Sequence, residues 1–322
     1  MAMAITASFD RLRQILGVAS LIVGLGILAP VSVSAQNLAR SLQLIAQTNP
    51  PGTPVKPVAE PSNEKVSRAK FDRVMQYAIA QKLHQKTMPE IMQAIATQFI
   101  GTPYQAGLLD ITSKERLILA LDKFDCVLFV EAVLAIARGI AIQDYNYATF
   151  GERISDLRYR DGKLDGYCSR LHYFSEWIAE NQARGTVKQI TQELGGVKTN
   201  KSLNFMSNHR QKYAQLKSNE VFQCIVQAEQ QLVDLDFIYI PSDKIKQAYS
   251  KMQAGDIVAI ATKVKGLDFT HTGLVYRNRD RSIGLIHASP SGAVKISPDL
   301  HAYVNQVKEQ QGIVIARPTD PR

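Results

Sequence analysis

The stretch Asp122–Arg138, "DKFDCVLFVEAVLAIAR", is apolar at every position from Val127 to Ala137 except Glu131. A helix with that composition has no polar face to turn to water and has to be buried nearly all round. Asp125 is a good N-cap residue, so the helix is expected to begin at Cys126 and to hold the thiol in its first turn, at the positive end of the helix dipole. That position lowers a thiol's pKa and favours the thiolate. A cysteine deep inside the helix would be inert, whereas one at its exposed beginning is a candidate nucleophile.

Outward from this stretch, Val66–Leu83 and Thr87–Phe99 have helical periodicity, and Thr87 with Glu90 makes a capping-box start for the second. They lead into the turn "IGTPYQAG", Ile100–Gly107. From about Asp125 to Leu235 the pattern is mainly helical, with "SRLHYFSEWIAEN", Ser169–Asn181, a clear amphipathic segment. After Pro241 the runs "GDIVAIAT", "HTGLVYR", "GLIHAS", "AVKIS" and "GIVIARP" are short, β-branched and separated by turn residues, as in an antiparallel meander. Helices followed by strands predict an α+β fold with one core. No internal repeat or heptad pattern interrupts it.

Arg11 and Arg13 precede a mostly apolar run from Ile15 to Ala29, then Pro30, then Val33 and Ala35 just before Gln36, which together read as a signal peptide over residues 1–35. The alternative is an uncleaved anchor, because the run to Val33 approaches the roughly 20 residues that span a bilayer. Cleavage would leave an exported protein of the periplasm or cell envelope with no stable membrane span. A linker with five prolines in Thr48–Lys65 fills most of 36–64. A single domain is expected over 65–318, with a helical insertion at about 139–240 and a C-terminal sheet at about 255–318.

The chain carries +9, and residues 1–35 hold only Asp10, Arg11 and Arg13, so the remainder carries +8. Such a charge suits an anionic envelope polymer or lipid surface as well as a plain solvated surface. No nucleic-acid partner is expected, since the Lys and Arg residues are scattered and accompany no recognition motif. Three cysteines in an oxidising compartment fit one disulfide plus one thiol. Cys168 and Cys224 could equally be small buried hydrophobes. With no CxxC or HExxH, no metal site is expected.

A nucleophilic thiol needs a base, and there are six histidines. His84 and His301 lie in polar helical stretches and read as surface residues. His172, among the aromatics of "LHYFSEW", reads as a hydrogen-bonded structural residue, and His209 can be read either way. His271 and His287 lie in adjacent strand-like runs joined by "NRDRS". A hairpin turning about Arg279 pairs residues whose numbers sum to about 558, as 271 and 287 do. The two imidazoles would then be direct cross-strand neighbours with Cβ atoms about 5 Å apart. A slip of one residue would put them on opposite faces. The trio reads as nucleophile (Cys126), general base and acid (His271), and orienting residue (His287).

The order "GTPYQAG", "FDCVLFVE", "GDIVAI", "HTGLVYR", "LIHASPSG" resembles the NlpC-type papain-like cell-wall cysteine hydrolases, and more closely their N-acetylmuramoyl-L-alanine amidase-like branch. "SRLHYFSEWI" and "NFMSNHRQKY", inside the insertion, are similar to segments of that branch, and the resemblance covers about Phe71–Pro318. It implies an α+β papain-like fold in which the catalytic helix packs on an antiparallel sheet, with Cys126 as nucleophile, His271 as base and His287 as the third polar residue. Tyr104 falls where the family places a tyrosine beside the nucleophile, suited to help the Cys126 amide hold an oxyanion. The chain departs from the family at Val127, where many relatives have a serine that works with the preceding aspartate to hold a substrate amine. It departs again at Leu128, where threonine is expected. Asp125 therefore either still meets such an amine or simply caps the helix. The activity implied is hydrolysis of an amide bond in peptidoglycan or a muropeptide, without a cofactor, at the link between N-acetylmuramic acid and L-alanine. The alternatives are cleavage of the stem peptide between D-glutamate and the diamino acid, and a non-catalytic cell-envelope binding module.

Overall fold

In the computed structural model the described residues are 61–322 apart from Ser113. The expected signal peptide and the linker as far as residue 60 lie outside them. Helix α1 (Glu64–Ala80) is capped by Asn63, whose side-chain oxygen accepts from the Val66 N–H at 3.2 Å. It buries Phe71, Val74, Met75 and Ala78 along one stripe. Helix α2 (Met88–Thr97) has the expected capping box: the Thr87 N–H and hydroxyl both donate to the Glu90 carboxylate, at 2.8 and 2.6 Å.

Helix α3 (Cys126–Ala141) starts where its cap predicts, with Asp125 Oδ1 accepting from the Leu128 N–H at 2.8 Å. Every residue of it except Val127 and Arg138 is buried. The one charge in its apolar run is neutralised by α4 (Tyr147–Arg158): Arg158 donates Nη2–H and Nε–H to Glu131 Oε2 at 2.7 and 2.9 Å. Trp177 adds its indole N–H to the other oxygen at 3.3 Å. Trp177 belongs to α5 (Phe174–Ala183), which begins later than the amphipathic pattern at Ser169 suggests. Ser169 instead ends a short helical turn, Gly166–Ser169, and Arg170 after it is extended, with its side chain reaching Asp110 at 2.9 Å and Glu115 at 3.4 Å.

The stretch expected to be helical also builds sheet. It contains β1 (Val187–Gln189), β2 (Val197–Thr199), helix α6 (Asn219–Gln231) and β3 (Phe237–Pro241). At three residues each, β1 and β2 are too short to carry the β-branched runs that mark the C-terminal strands, and they are held by pairing with the last strand, Gln310–Pro318, and with β3, whereas β3, Phe-Ile-Tyr-Ile-Pro, has such a run of its own. Cys168 and Cys224 form a disulfide with Cα atoms 6.1 Å apart, tying the turn at Gly166–Ser169 to α6. It lies beside a separate apolar cluster that includes Tyr167, Phe205, Met206, Leu216 and Ile225. Cys126 is outside the disulfide.

The C-terminal part supplies β4 (Ile257–Thr262), β5 (Phe269–Arg277), β6 (Ile283–Ala288), β7 (Val294–Ser297), helix α7 (Leu300–Gln306) and β8 (Gln310–Pro318). Strands β4 to β7 are the expected meander, and β8 returns beside β4, giving the order β2-β3-β8-β4-β5-β6-β7 with β1 also on β8. All these pairings are antiparallel. Alternation sends Ile257, Ala259, Leu274 and Ile286 into the main core with α1 to α5. Val258, Ile260, Val275 and Leu285 face the opposite side, where Leu300 and Val304 of α7 cover them. This is an α+β fold, a mixed set of helices on an antiparallel sheet. The motif "GD" has two mechanical jobs in it. Gly255, at φ +77°, lies so close to α2 that an added Cβ would be 2.4 Å from Met92 Cβ. Asp256 takes a two-pronged ion pair from Arg317 on β8, at 2.7 Å for each prong. Among the described residues no helix is long and apolar enough to cross a membrane.

Candidate functional site

The beginning of α3 is held by the "GTPY" turn on one side and the sheet on the other. The Phe124 N–H donates to Pro103 O at 2.9 Å and the Gln105 N–H to Phe124 O at 2.8 Å, so Tyr104 runs alongside the residues just before Cys126. The same turn is sewn to the start of β7, through Gly101 N–H to Val294 O at 2.9 Å and Tyr104 N–H to Gly292 O at 2.7 Å. Tyr104 is half-buried, and burial together with the charges of Cys126 and Asp125 drives its hydroxyl far above the usual phenol range. On the other side α3 packs against β5 and β6, and the Thr272 N–H, next to His271, stabilises charge on the Cys126 sulfur.

The histidines meet, though not in the register expected. Strands β5 and β6 pair Leu274 with Ile286 and Arg277 with Ile283, so the hairpin turns about Asp280 rather than Arg279. That shift is two residues in the pairing sum, which preserves the face but makes His271 and His287 diagonal neighbours. Gly273 lies against His287, and a Cβ there would be 2.8 Å from His287 Cβ. The missing side chain gives the His287 ring room to lean toward His271, and their Nε2 and Nδ1 atoms are 2.7 Å apart. His287 Nε2 is in turn 3.1 Å from Ser297 Oγ on β7. There too the step is diagonal, since the strict partner of His287 is Lys295. A slanted row of polar groups therefore crosses three strands. If His271 donates from Nε2, His287 accepts on Nδ1 and donates from Nε2 to Ser297, and His271 Nδ1 is the nitrogen left to accept a proton.

The electrostatics differ from the sequence expectation. Cys126 is 2% exposed and Asp125 8%, so the helix begins inside the protein rather than at an exposed mouth. Burial, followed by the Asp125 charge, pushes the thiol up to about 12. A helix dipole is worth about 0.3–1 kcal/mol, while full desolvation can move a pKa by about 3–5 units, so burial wins. Burial likewise lowers His271 to about 4, and burial with the charges of His271 and Lys295 lowers His287 to about 2. Thiol and imidazoles are thus all neutral at rest. The Asp125 carboxyl is pushed up by burial and pulled down by the Leu128 N–H it caps.

The other histidines are elsewhere engaged. His172 Nε2 is 2.8 Å from Tyr167 O, and burial drives the ring well below its ordinary pKa. His209 stacks on Phe205 with its Nδ1 2.7 Å from Phe205 O. His84 is half-buried, and His301 Nε2 accepts from Asn305 at 3.0 Å. Two neighbours of the histidine pair escaped the sequence reading. Ser297 could have been found by extending strand parity one strand further. Tyr303, on α7 with its ring centroid 4.5 Å from that of His287, carries no local signal. Among the described residues no three His, Cys, Asp or Glu side chains are grouped to hold a metal ion.

Residues 94–313 match the family model AmiA-like, N-acetylmuramoyl-L-alanine amidase-like. A crystal structure of an N-acetylmuramoyl-L-alanine amidase from Bacteroides uniformis is 30% identical and covers 72% of this chain and 99% of its own, with a TM-score of 0.67. A Bacteroides fragilis protein described provisionally as a xylanase is 33% identical over 69% of this chain and 98% of its own, with a TM-score of 0.63. A Legionella pneumophila protein, 22% identical over 79% of this chain and 95% of its own with a TM-score of 0.58, shares the fold. No curated protein matches the sequence. By the extent of the family match and the identity to the Bacteroides uniformis amidase across nearly all of that chain, the protein belongs to the AmiA-like family of N-acetylmuramoyl-L-alanine amidase-like proteins.

Proposed function

We propose that the protein is an exported cysteine amidase of peptidoglycan, of the NlpC-type papain-like kind, cleaving the amide between N-acetylmuramic acid and L-alanine. The observation that carries this reading is the neutral His271–His287–Ser297 row beside a helix that begins at a cysteine. In the step proposed, the Cys126 sulfur attacks the amide carbonyl as its proton passes to His271 Nδ1. Because the resting thiol and imidazole are both neutral, transfer and attack are coupled rather than sequential. The tetrahedral oxyanion is held by the Cys126 N–H, which as the first helical amide points out of the helix, and by the Tyr104 hydroxyl. His271 returns the proton to the departing amine of L-alanine, leaving a thioester on Cys126. Water, deprotonated by His271, then attacks the thioester, releasing the carboxylate and restoring the thiol.

Asp125 favours this bond over the one within the stem peptide. One oxygen of its buried carboxyl caps the Leu128 N–H, and Val127 stands where relatives carry serine, so the aspartate–serine pair suited to hold a free stem amine is incomplete. The Cys168–Cys224 disulfide supports an oxidising, extracytoplasmic location, the periplasm or cell envelope. Digestion of purified peptidoglycan, read by mass spectrometry, tests the reading. The expected product is intact stem peptides freed from glycan, with Cys126→Ala slower by on the order of 10⁴-fold or more. Truncated stems would assign the stem endopeptidase instead. No release, with the alanine variant indistinguishable from the parent, would assign a binding module.

A further inference from the structure

We propose that Tyr303 is a positioning residue whose ring caps the His271–His287 pair against water and locks the two imidazoles in their hydrogen-bonded geometry. Tyr303 comes from α7, on the face of the sheet opposite α3. That helix is fixed at its start by Asp299, whose Oδ1 accepts from the Ala302 N–H at 2.7 Å, and by Tyr249, whose hydroxyl accepts from the His301 N–H at 2.8 Å. Leu300 and Val304 are buried in the second core cluster and hold Tyr303, half-buried between them, over the histidines. Its ring centroid is 4.5 Å from His287 at 55° and 5.9 Å from His271 at 53°, while the imidazoles are 4.9 Å apart at 84°. Three rings thus close into one cluster around the His271–His287 contact.

The groups that surround this cluster are Cys126 and Asp125 at the start of α3, Tyr104 in the preceding turn, Lys295 and Ser297 on β7, and Tyr303 itself. Lys295 acts on His287, so it opposes protonation there. His271 owes its low pKa to burial alone. Whatever excludes water from that imidazole therefore sets its protonation, and the Tyr303 ring is the cover supplied from α7. The Cys126 charge also acts on the Tyr303 hydroxyl, which leaves a second role to be separated by experiment.

The inference rests on the proposed function of the same site, and its test begins without substrate. Histidine-labelled full-length protein is titrated by NMR, with His271 assigned through His271→Gln, in the parent, Tyr303→Phe, Tyr303→Leu and Tyr303→Ala. Loss of the ring in the leucine and alanine variants is expected to raise the His271 midpoint by about one unit or more, because hydration favours the imidazolium. Tyr303→Phe should titrate like the parent. In hydrolysis assays the acid limb of kcat/KM should move upward with the midpoint, kcat should fall on the order of 10-fold, and KM should change little. An unmoved midpoint in both ring-less variants overturns the inference. So does a phenylalanine variant that behaves like alanine, which would assign the role to the hydroxyl. A parent with the expected titration but no action on peptidoglycan would overturn the proposed function and leave the capping role standing.

Discussion

Two regions bury polar side chains side by side and treat them in opposite ways. In the frame, several buried charges meet an opposite one: Glu131 with Arg158, Asp256 with Arg317, and Arg170 with Asp110 and Glu115. Burial pushes the Glu131 and Asp256 carboxyls up, and the guanidinium beside each pulls it back. At the candidate site, Cys126, His271 and His287 are as deeply buried, and desolvation is the largest influence on each, so each stays in its neutral form. Paired burial holds helices in place. Burial that outweighs the groups around it leaves side chains whose ionisation has to be supplied by the reaction.

The largest expected effects break this contrast from both ends. His271→Gln keeps a polar group in the row, so the fold should survive while stem-peptide release falls on the order of 10³–10⁴-fold. Arg158→Ala should do the reverse. It strands a buried carboxylate, at a cost of about 3–5 kcal/mol in urea unfolding, while the folded fraction keeps its activity per molecule. Replacing Glu131 and Arg158 together with apolar residues of similar volume should recover most of that loss.

Acidity offers a smaller and graded test. The folded pKa of His271 is about 4, against about 6.5 in the unfolded chain. Between those values the unfolded chain takes up a proton that the native one refuses. Stability contributed by the neutral site is therefore complete above pH 6.5 and is lost as pH falls toward about 4, by roughly 3 kcal/mol for this residue. Urea midpoints measured across that window should show the slope, and His271→Gln should reduce it by this residue's share, leaving that of His287 and His172. The thiol, raised to about 12 from an ordinary 9, predicts a second loss as pH climbs above 9. Smallest of all, Ser297→Ala removes one neutral hydrogen bond from the end of the row, so a rate loss of about 3–10-fold with little change in stability is expected. A loss as large as that of His271→Gln would mean that the serine does more than orient His287.

Much of this molecule was legible residue by residue. The Asp125 cap, the Thr87–Glu90 box, the burial of Leu128–Ala137 and five C-terminal strands follow from local periodicity and from side chains that reach their own backbone. The shared face of His271 and His287 follows from strand parity, which survives a register error of two but not of one. Other features depend on what is packed around a residue. The short strands β1 and β2 take their place from the strands they pair with, and the hairpin centres on Asp280, with Gly273 leaving room for His287 on the diagonal. Tyr303 arrives from a helix that no motif marks. The state of the thiol belongs to this second group as well. A cap and a dipole are properties of one helix, but desolvation depends on every element that covers Cys126, and it is the larger energy.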